Sequence, residues 1–204
     1  MNLFDEAAKA WDSNPIHQER SEAIALKIKE KIDLNPEMTA LEFGAGTGIL
    51  SFLLKDYLND IILMDSSSEM VKVMGEKVRN EQASSLNPLY LNLEISEYTG
   101  PPVDLVFTQM VLHHINDVPA ILSKFYRMLN SDGCIAIADL YSEDGSFHGP
   151  DFSGHRGFDI LEFSKMLSSI GFSNIQHEPC FVIRKLTEVN QMKEFSVFLL
   201  IAKK

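Results

Sequence analysis

Residues 41–50 read Leu-Glu-Phe-Gly-Ala-Gly-Thr-Gly-Ile-Leu, and this stretch decides the fold. It follows a β-rich run at 39–43, turns on three glycines and enters a segment in which apolar residues recur at helical spacing. Glycine is required where the backbone takes a positive φ or approaches a ligand closely. A glycine turn between a strand and a helix lies at the carboxyl end of the strand, so we expect a nucleotide-like ligand across this turn.

The spacing of the glycines separates this loop from two common nucleotide motifs. The dinucleotide fingerprint has glycines at its first, third and sixth positions, whereas Gly44 and Gly46 are followed at the sixth position by Ile49. The Lys-Ser/Thr pair of a phosphate-binding P-loop does not follow the turn. Glu42 is unfavourable beside a pyrophosphate but favourable beside a cation or an ammonium group. Asp65 ends the next β-rich run, where a carboxylate can accept hydrogen bonds from both hydroxyls of a ribose.

Seven β-rich runs alternate with segments of helical spacing along the chain. The runs lie at 39–43, 60–64, 88–93, 103–108, 134–140, 174–183 and 194–202, and helices are predicted at 16–34, 47–58, 67–80, 117–129 and 159–170. Apolar runs without strict alternation indicate strands that are covered on both faces. The pattern therefore predicts a doubly wound α/β domain with a mostly parallel seven-stranded sheet. The last two runs adjoin without a helix, which predicts an antiparallel C-terminal strand.

The composition excludes several classes of function. The 204 residues fit one domain, or one domain with an appendage, and 45% hydrophobic residues can form a real core. The net charge of −11 argues against nucleic acid or an anionic membrane as the main partner. We find no Cys/His set with zinc spacing and expect no metal site; Cys134 and Cys180 are expected to be thiols in a reducing compartment. No secretory leader or membrane-spanning run is evident, so we expect a cytoplasmic protein.

Further segments extend the pattern around the glycine loop and Asp65. They are Phe4 to Asp12, Val103-Asp104-Leu105-Val106, Thr108 to Ile115, Gly157-Phe158-Asp159, Ile170-Gly171-Phe172 and the closing run from Phe195 to Lys204. Over nearly the whole chain, this combination resembles the class I S-adenosylmethionine (SAM)-dependent methyltransferases and their small-molecule "type 11/12" branch. The resemblance implies a Rossmann-like fold, SAM as cofactor and S-adenosylhomocysteine (SAH) as product. It also implies methyl transfer to a small-molecule acceptor by a monomer or a homodimer.

The resemblance assigns the glycine loop to the methionine part of the cofactor. Gly44 and Gly46, with Ala45 and Thr47 in the same turn, would hold this part, and Glu42 would organise its ammonium group. The chain would divide into an N-terminal arm and helix at 1–35 and a SAM-binding domain at 36–204. The first fifteen residues either pack on the domain or fold over the ligand as a lid, and both interpretations stay open.

The next two strands would hold the adenosine part. Asp65 would bind the ribose, and Ser66 and Met70 would flank the adenine. Asn92-Leu93 stands where the family usually presents an acid to the adenine amino group. The side-chain carbonyl of Asn92 can accept from that amino group, although less strongly than a carboxylate.

The segment after the fourth strand would contact the reacting centre. Thr108 and Gln109 would face the sulfonium, and His113 or His114 would act as a base or contact the acceptor. For either histidine, a bond to the backbone at the start of a helix is at least as common. In the loop at 144–157, His148 and His155 are further candidates for the acceptor side, beside Tyr141 and Arg156.

Two other functions compete with methyl transfer. Because Asn92 stands where the family usually has an acid, a second function stays open: an inactive SAM- or SAH-binding protein that acts as a sensor or partner subunit. An NAD-linked oxidoreductase is disfavoured by Ile49 and by the lack of a Tyr-x-x-x-Lys pair.

Overall fold

The computed structural model describes residues 3–187 and 190–204. Its strands are β1 (Thr39–Phe43), β2 (Asp60–Asp65), β3 (Leu86–Tyr90), β4 (Val103–Gln109), β5 (Leu129–Leu140), β6 (Ser173–Leu186) and β7 (Met192–Lys203). Its helices are α1 (Leu3–Ala7), α2 (Pro15–Lys31), α3 (Ile49–Leu54), α4 (Ser68–Asn80), α5 (Val118–Met128) and α6 (Ile160–Ile170). Short 3₁₀ segments lie at Ala8–Ser13, Lys55–Tyr57 and Leu112–His114.

The seven strands form one sheet in the order β3-β2-β1-β4-β5-β7-β6. The pairs among β1 to β5 are parallel, whereas β7 runs antiparallel to both β5 and β6. This confirms the predicted doubly wound, mostly parallel sheet with an antiparallel C-terminal strand. The strand nearest the chain end lies inside the sheet, between β5 and the edge strand β6.

Two sequence expectations about local structure were wrong. The third strand was expected at 88–93 but spans Leu86–Tyr90, because its register against β2 runs from Ile61↔Leu86 to Asp65↔Tyr90. The fifth strand was expected at 134–140 but spans Leu129–Leu140, so the segment 130–133 belongs to β5. The pairing of β4 with β5 shifts register between Val103 and Leu105. The segment 130–133 therefore forms an irregularity in β5 that long-range strand pairing accommodates.

Polar side chains set the helix starts that the sequence predicted. Asp117 Oδ1 accepts from Ala120 N at 3.0 Å, and Asp159 Oδ1 accepts from Leu161 N at 2.9 Å. The helix expected at 67–80 begins at Ser68, because Ser67 Oγ accepts from Met70 N at 3.2 Å and caps it. The helix expected at 47–58 begins only at Ile49 and ends in a 3₁₀ turn.

The sheet is covered on both faces by helices. Ile24, Leu54 and Phe107 belong to the core between the sheet and the side carrying α2, α3 and α4. Phe125 and Phe163 belong to the core on the side of α5 and α6. Each such side chain, once buried, contributes about 1.5–3 kcal/mol, which is why the flanking helices pack firmly on the strands.

The strand order reverses between β1 and β4, and this places the ligand crevice. In doubly wound sheets, ligands bind outside the carboxyl ends of the strands at such a switch point. The segments leaving Phe43 and Gln109 therefore flank the expected crevice. Among the described helices, none combines the length and apolar content needed to cross a lipid bilayer.

Candidate active site

The glycine loop leaves β1 through three residues in left-handed conformations. Gly44, Gly46 and Gly48 have φ values of 66°, 58° and 82°. A Cβ on Gly44 would lie 2.5 Å from Val111 Cγ2, so the loop backbone and the segment after β4 are in close contact. Ala45 N donates to Met64 O at 2.9 Å, which fixes the loop against the end of β2. These contacts require glycine at 44 and expose a strip of backbone at the switch point.

Glu42 lies beneath the loop and has no solvent exposure. Its Oε2 accepts from Ser51 Oγ at 2.5 Å and from Ser51 N at 3.2 Å, at the start of α3. Its Oε1 has no hydrogen-bond partner among the described residues. Burial raises the pKa of Glu42 to about 8, because the charged form loses its hydration there. A cation at the loop would return this carboxyl to its ionised form.

Asp65, at the end of β2, faces the same loop. Its Oδ2 accepts from Gly46 N at 2.7 Å, and its Oδ1 accepts from Ser67 N at 2.8 Å. Burial raises the pKa of Asp65, and the bonds from backbone N–H groups oppose that rise. The structure therefore brings together the glycine loop and the carboxylate that the sequence analysis paired.

The N-terminal arm, defined as residues 3–13, lies on the glycine loop. Trp11 Nε1 is 3.7 Å from the position that a Cβ on Gly46 would take. Asp12 accepts a hydrogen bond from Thr47 Oγ1 and pairs with Lys77 Nζ at 2.7 Å. Lys77 Nζ also donates to Thr47 O at 3.0 Å. Lys77 on α4 thus links the arm to the loop, a role that its place in the sequence does not indicate.

The proposed adenine side is formed around the ends of β2 and β3. Ser66 is exposed, whereas Met70, in the first turn of α4, is 1% exposed. Asn92 follows the end of β3, and its Oδ1 accepts from Glu94 N at 2.9 Å. Leu93 is buried in the sheet core on the α5 side.

The end of β4 faces α2 across the crevice. Thr108 is buried and its Oγ1 donates to Phe43 O at 2.8 Å, which ties β4 to the end of β1. Gln109 Nε2 lies 2.9 Å from Ser21 Oγ on α2. Met110 follows with φ of 56°, a strained conformation for a side chain of this size. Such strain is common at functional sites, but neither glycine nor asparagine marks this position in the sequence.

His113 is held by a carboxylate that the sequence analysis missed. Asp139, near the end of β5, is fully buried, and its Oδ1 lies 2.6 Å from His113 Nδ1. Its Oδ2 accepts from His113 N at 3.3 Å. Because a carboxylate only accepts, Nδ1–H is the donor, and Nε2 is left facing away from Asp139. A carboxylate within the apolar strand 134–140 was the available signal.

His114 and His148 lie beside His113. The ring centroids of His114 and His148 are 5.0 Å apart, and each ring is within 5.1 Å of that of His113. Burial, followed by the charge of His113, lowers the pKa of His114 to about 3 and that of His148 to about 4. Both imidazoles are therefore neutral in the ordinary physiological range.

The remaining candidates lie in or next to the loop at 144–157 and are held by contacts within the protein. His155 Nε2 lies 2.9 Å from Ile115 O, and His155 N donates to His113 O at 2.7 Å. Arg156 packs against Gly145, and Tyr141 forms a strand-like bridge with Phe158. His155 thus fastens the loop to the segment after β4, which is how His148 reaches His113.

A buried cation completes the surroundings. Arg20 on α2 is 7% exposed, and its Nε has no hydrogen-bond partner among the described residues. Burial lowers the pKa of Arg20 to about 10, and the charge of Asp139 opposes the change. A buried guanidinium beside this crevice favours an anionic group nearby.

Comparison with known proteins identifies the domain. Residues 41–137 match a methyltransferase domain family. The chain is 28% identical over 155 residues to an uncharacterised methyltransferase of Schizosaccharomyces pombe, covering 68% of this chain and 55% of that protein. It is 25% identical to phosphoethanolamine N-methyltransferase 3 of Arabidopsis thaliana, covering 72% of this chain and 31% of that enzyme. The chain therefore spans about half the length of the first relative and a third of the second.

The solved structure of the YcgJ protein from Bacillus subtilis has the same fold. It superposes with a TM-score of 0.74 at 18% identity, covering 90% of this chain and 98% of that protein. The sheet order and the position of the glycine loop at the switch point agree with the match to a methyltransferase domain family. The chain therefore has the fold of the class I SAM-dependent methyltransferases, and residues 41–137 are similar to a methyltransferase domain.

Proposed function

We propose that this chain binds SAM across the glycine loop and transfers the methyl group to a small-molecule acceptor, releasing SAH. The observation that carries the proposal is the left-handed loop at the β1/β4 switch point, with Asp65 bonded to Gly46 N at 2.7 Å. This arrangement places the partly exposed backbone of Gly44 and Gly46 beside a carboxylate, within reach of one ligand. A cofactor that carries a carboxylate, an ammonium and a ribose matches them.

The methionine part is assigned to the loop itself. Gly44, Ala45, Gly46 and Thr47 would contact it through the backbone, because their side chains are small or point elsewhere. Glu42 would face the ammonium from below, either directly or through water or backbone. Oε1 of Glu42 supports this assignment, since it has no hydrogen-bond partner in the part of the chain that the structure describes and is left for a cation.

The adenosine part is assigned to the ends of β2 and β3. Asp65 would exchange its bond to Gly46 N for the ribose hydroxyls. Ser66 and Met70 would flank the adenine, with Asn92 and Leu93 on its other side. The arm and helix at 1–35 would cap this site, because Trp11 and Asp12 already lie on the loop.

The transfer itself requires alignment more than proton chemistry. A lone pair of the acceptor attacks the methyl carbon, the carbon–sulfur bond breaks, and its electron pair returns to sulfur as the neutral thioether of SAH. Thr108 and Gln109 would line the sulfonium end. If the attacking atom carries a proton, that proton leaves to a base, and we assign this role to His113 or His114 in the segment after β4.

An acceptor with an anionic group fits the buried charge near the crevice. Arg20 is buried on the helix whose Ser21 contacts Gln109, and its Nε lacks a partner among the described residues. The relative from Arabidopsis thaliana is named for phosphoethanolamine, which carries such a group. We therefore extend the proposal to a small phosphorylated or carboxylated acceptor. The free thiols Cys134 and Cys180 fit a reducing, cytoplasmic setting.

The test measures cofactor binding and transfer separately. Calorimetry with SAM and SAH should show binding of both, and Asp65→Ala should weaken it about 100-fold, because two hydrogen bonds to a charged group are lost. Radiolabelled SAM should then transfer label to at least one member of a panel of small amines, alcohols and thiols. The panel pairs phosphorylated and carboxylated compounds with their neutral analogues.

Asp60→Ala is the matched control, since Asp60 lies at the opposite end of the same strand and contacts Asn87. It should leave SAM affinity unchanged. No affinity for SAM or SAH would refute the proposal. Binding without transfer to any compound would favour the sensor or partner-subunit function instead.

A further inference from the structure

We propose that His113, His114 and His148 bind a divalent transition metal ion of the zinc type. Metal binding by these side chains does not depend on the proposed methyl transfer and is tested apart from it. From the sequence we expected no metal, because no Cys/His set has the spacing of a zinc site. The fold brings the three histidines together.

The geometry of the three rings suits one small ion. Each histidine offers one nitrogen, and these three nitrogens lie within 4.8 Å of one another. Zinc binds imidazole nitrogen at about 2.0–2.1 Å, so tetrahedral ligands stand about 3.4 Å apart. Small side-chain rotations close this difference. His148 is the ring best able to move, because it lies in a loop while His113 is fixed.

The carboxylate of Asp139 already orients His113, one of the three proposed ligands. The Asp139 carboxylate holds His113 Nδ1 at 2.6 Å and His113 N at 3.3 Å. Metal-binding histidines commonly donate their other ring N–H to a carboxylate in this way, which fixes the tautomer and leaves Nε2 for the metal. Asp139 is fully buried, so bulk water does not compete with His113 for its carboxylate.

Aromatic side chains enclose the cluster. His148 stacks on Phe152 with ring centroids 4.0 Å apart, and Phe147 lies edge-on to both His113 and His148. His155 fastens the same loop by its bonds to His113 O and Ile115 O. An apolar shell limits solvent access and holds the ligands in place, as in established metal sites.

The donor set selects the class of metal and leaves it reactive. Three imidazole nitrogens favour zinc, cobalt, nickel or copper over magnesium or calcium, which prefer oxygen ligands. Three protein ligands leave a fourth position open, which is typical of catalytic rather than structural zinc. Lys185, whose Nζ contacts Phe147 O at 2.5 Å, and the buried Arg20 add positive charge nearby. We therefore expect the fourth ligand to be water or an anionic oxygen.

The experiment titrates Zn²⁺ into the full chain after treatment with a chelator. One ion should bind per chain, measured by calorimetry and by elemental analysis after dialysis. His148→Ala should lose this binding, and Asp139→Asn should weaken it about 10- to 100-fold. His177→Ala removes an exposed histidine of β6 and should bind as the parent does. Co²⁺ in the same site should give the visible absorption of a four-coordinate ion.

Circular dichroism without metal checks that His148→Ala is folded, and His114→Ala gives a second, independent loss of one ligand. The proposal is overturned if the parent binds no Zn²⁺, or if the parent, His148→Ala and His114→Ala bind it equally. SAM affinity measured on the metal-free chain reports on the proposed function alone, so the two proposals fail separately.

Discussion

Glu42 shows how a single buried carboxyl group makes a binding loop sensitive to pH. Its pKa is raised to about 8 by burial, so in the folded chain it is protonated below that pH. An unfolded glutamate ionises near its ordinary pKa of about 4.3. The stability that this difference supplies is fully present below the unfolded pKa and is lost as pH rises through the folded one.

Glu42→Gln should remove this dependence. Between about pH 5 and about pH 8, the parent should lose about 2–4 kcal/mol of unfolding free energy relative to the variant, because glutamine cannot ionise. Urea denaturation at several pH values measures the difference. Glu37→Gln, at an exposed position, should follow the parent. Saturating SAM should flatten the parent's slope if its ammonium lies at Glu42, and parallel slopes for parent and Glu42→Gln would contradict the prediction.

Gly44 carries a steric requirement that a double-mutant cycle can measure. A Cβ there meets Val111 Cγ2 at 2.5 Å, and the φ of +66° strains any other residue. Gly44→Ala should cost about 2–4 kcal/mol, because both penalties apply. In a Val111→Ala background, the overlap with the γ carbons is gone, whereas the backbone strain and the 3.2 Å approach to the Cβ of residue 111 remain. The coupling between the two changes should be about 1–2 kcal/mol.

Gly75→Ala is the control for this cycle. Gly75 lies within α4, and its Cβ would meet only the flexible end of Arg79, at 3.5 Å. Alanine should stabilise this helix by about 0.5–1 kcal/mol. If Gly44→Ala lowers the free energy of unfolding no more in the Val111 parent than in the Val111→Ala background, the close contact with Val111 does not contribute to the cost of the substitution.

At the level of elements, locally encoded features were predictable. β1 was placed at its observed bounds, and α5 and α6 start at the expected Asp117 and Asp159 caps. Such elements carry their own start signals and apolar spacing. β3 and the start of β5 were misplaced, because their limits follow from pairing with β2 and β4 rather than from local preference.

The N-terminal arm is the element whose behaviour on cofactor binding is most readily observed. Trp11 is the single tryptophan of the sequence and lies against Gly46, where the methionine part of SAM is proposed to bind. SAM should therefore shift the indole and change its fluorescence, with a midpoint equal to the calorimetric Kd. Asp12→Asn weakens the anchoring of the capping arm to Lys77 and should weaken SAM binding up to about fivefold, since a partly exposed ion pair contributes about 0.2–1 kcal/mol.

Trp11→Phe supplies the control for the fluorescence signal. It should abolish the signal while calorimetry still records SAM binding. Unchanged emission in the parent at saturating SAM would mean that the arm keeps its place, and the lid interpretation of residues 1–15 would then be wrong.

For the whole molecule, the sequence revealed one half of the site better than the other. The cofactor half follows chain order, because a loop after β1 and a carboxylate after β2 are neighbours in any doubly wound sheet. The acceptor half depends on the return of the loop at 144–157, fastened by His155 to the backbone at 113–115. No periodicity or spacing encodes such a long-range contact, so Asp139 and the grouping of His148 with His113 were missed.

Both described ends of the chain are tied to the body that carries the site, so SAM should stabilise the molecule as one unit. The arm lies on the glycine loop, and β7 lies within the sheet between β5 and β6. At 100 times its Kd, SAM should add about 2.7 kcal/mol, which corresponds to about 5–10 °C in Tm for a chain of this size. Far-ultraviolet circular dichroism and Trp11 fluorescence should report the same transition, because the sheet cannot melt without releasing the arm. At the same SAM concentration, Asp65→Ala should reduce the stabilisation to about 0.4 kcal/mol, whereas Asp60→Ala should keep it. An equal shift in both variants would place the stabilising contact outside the ribose site.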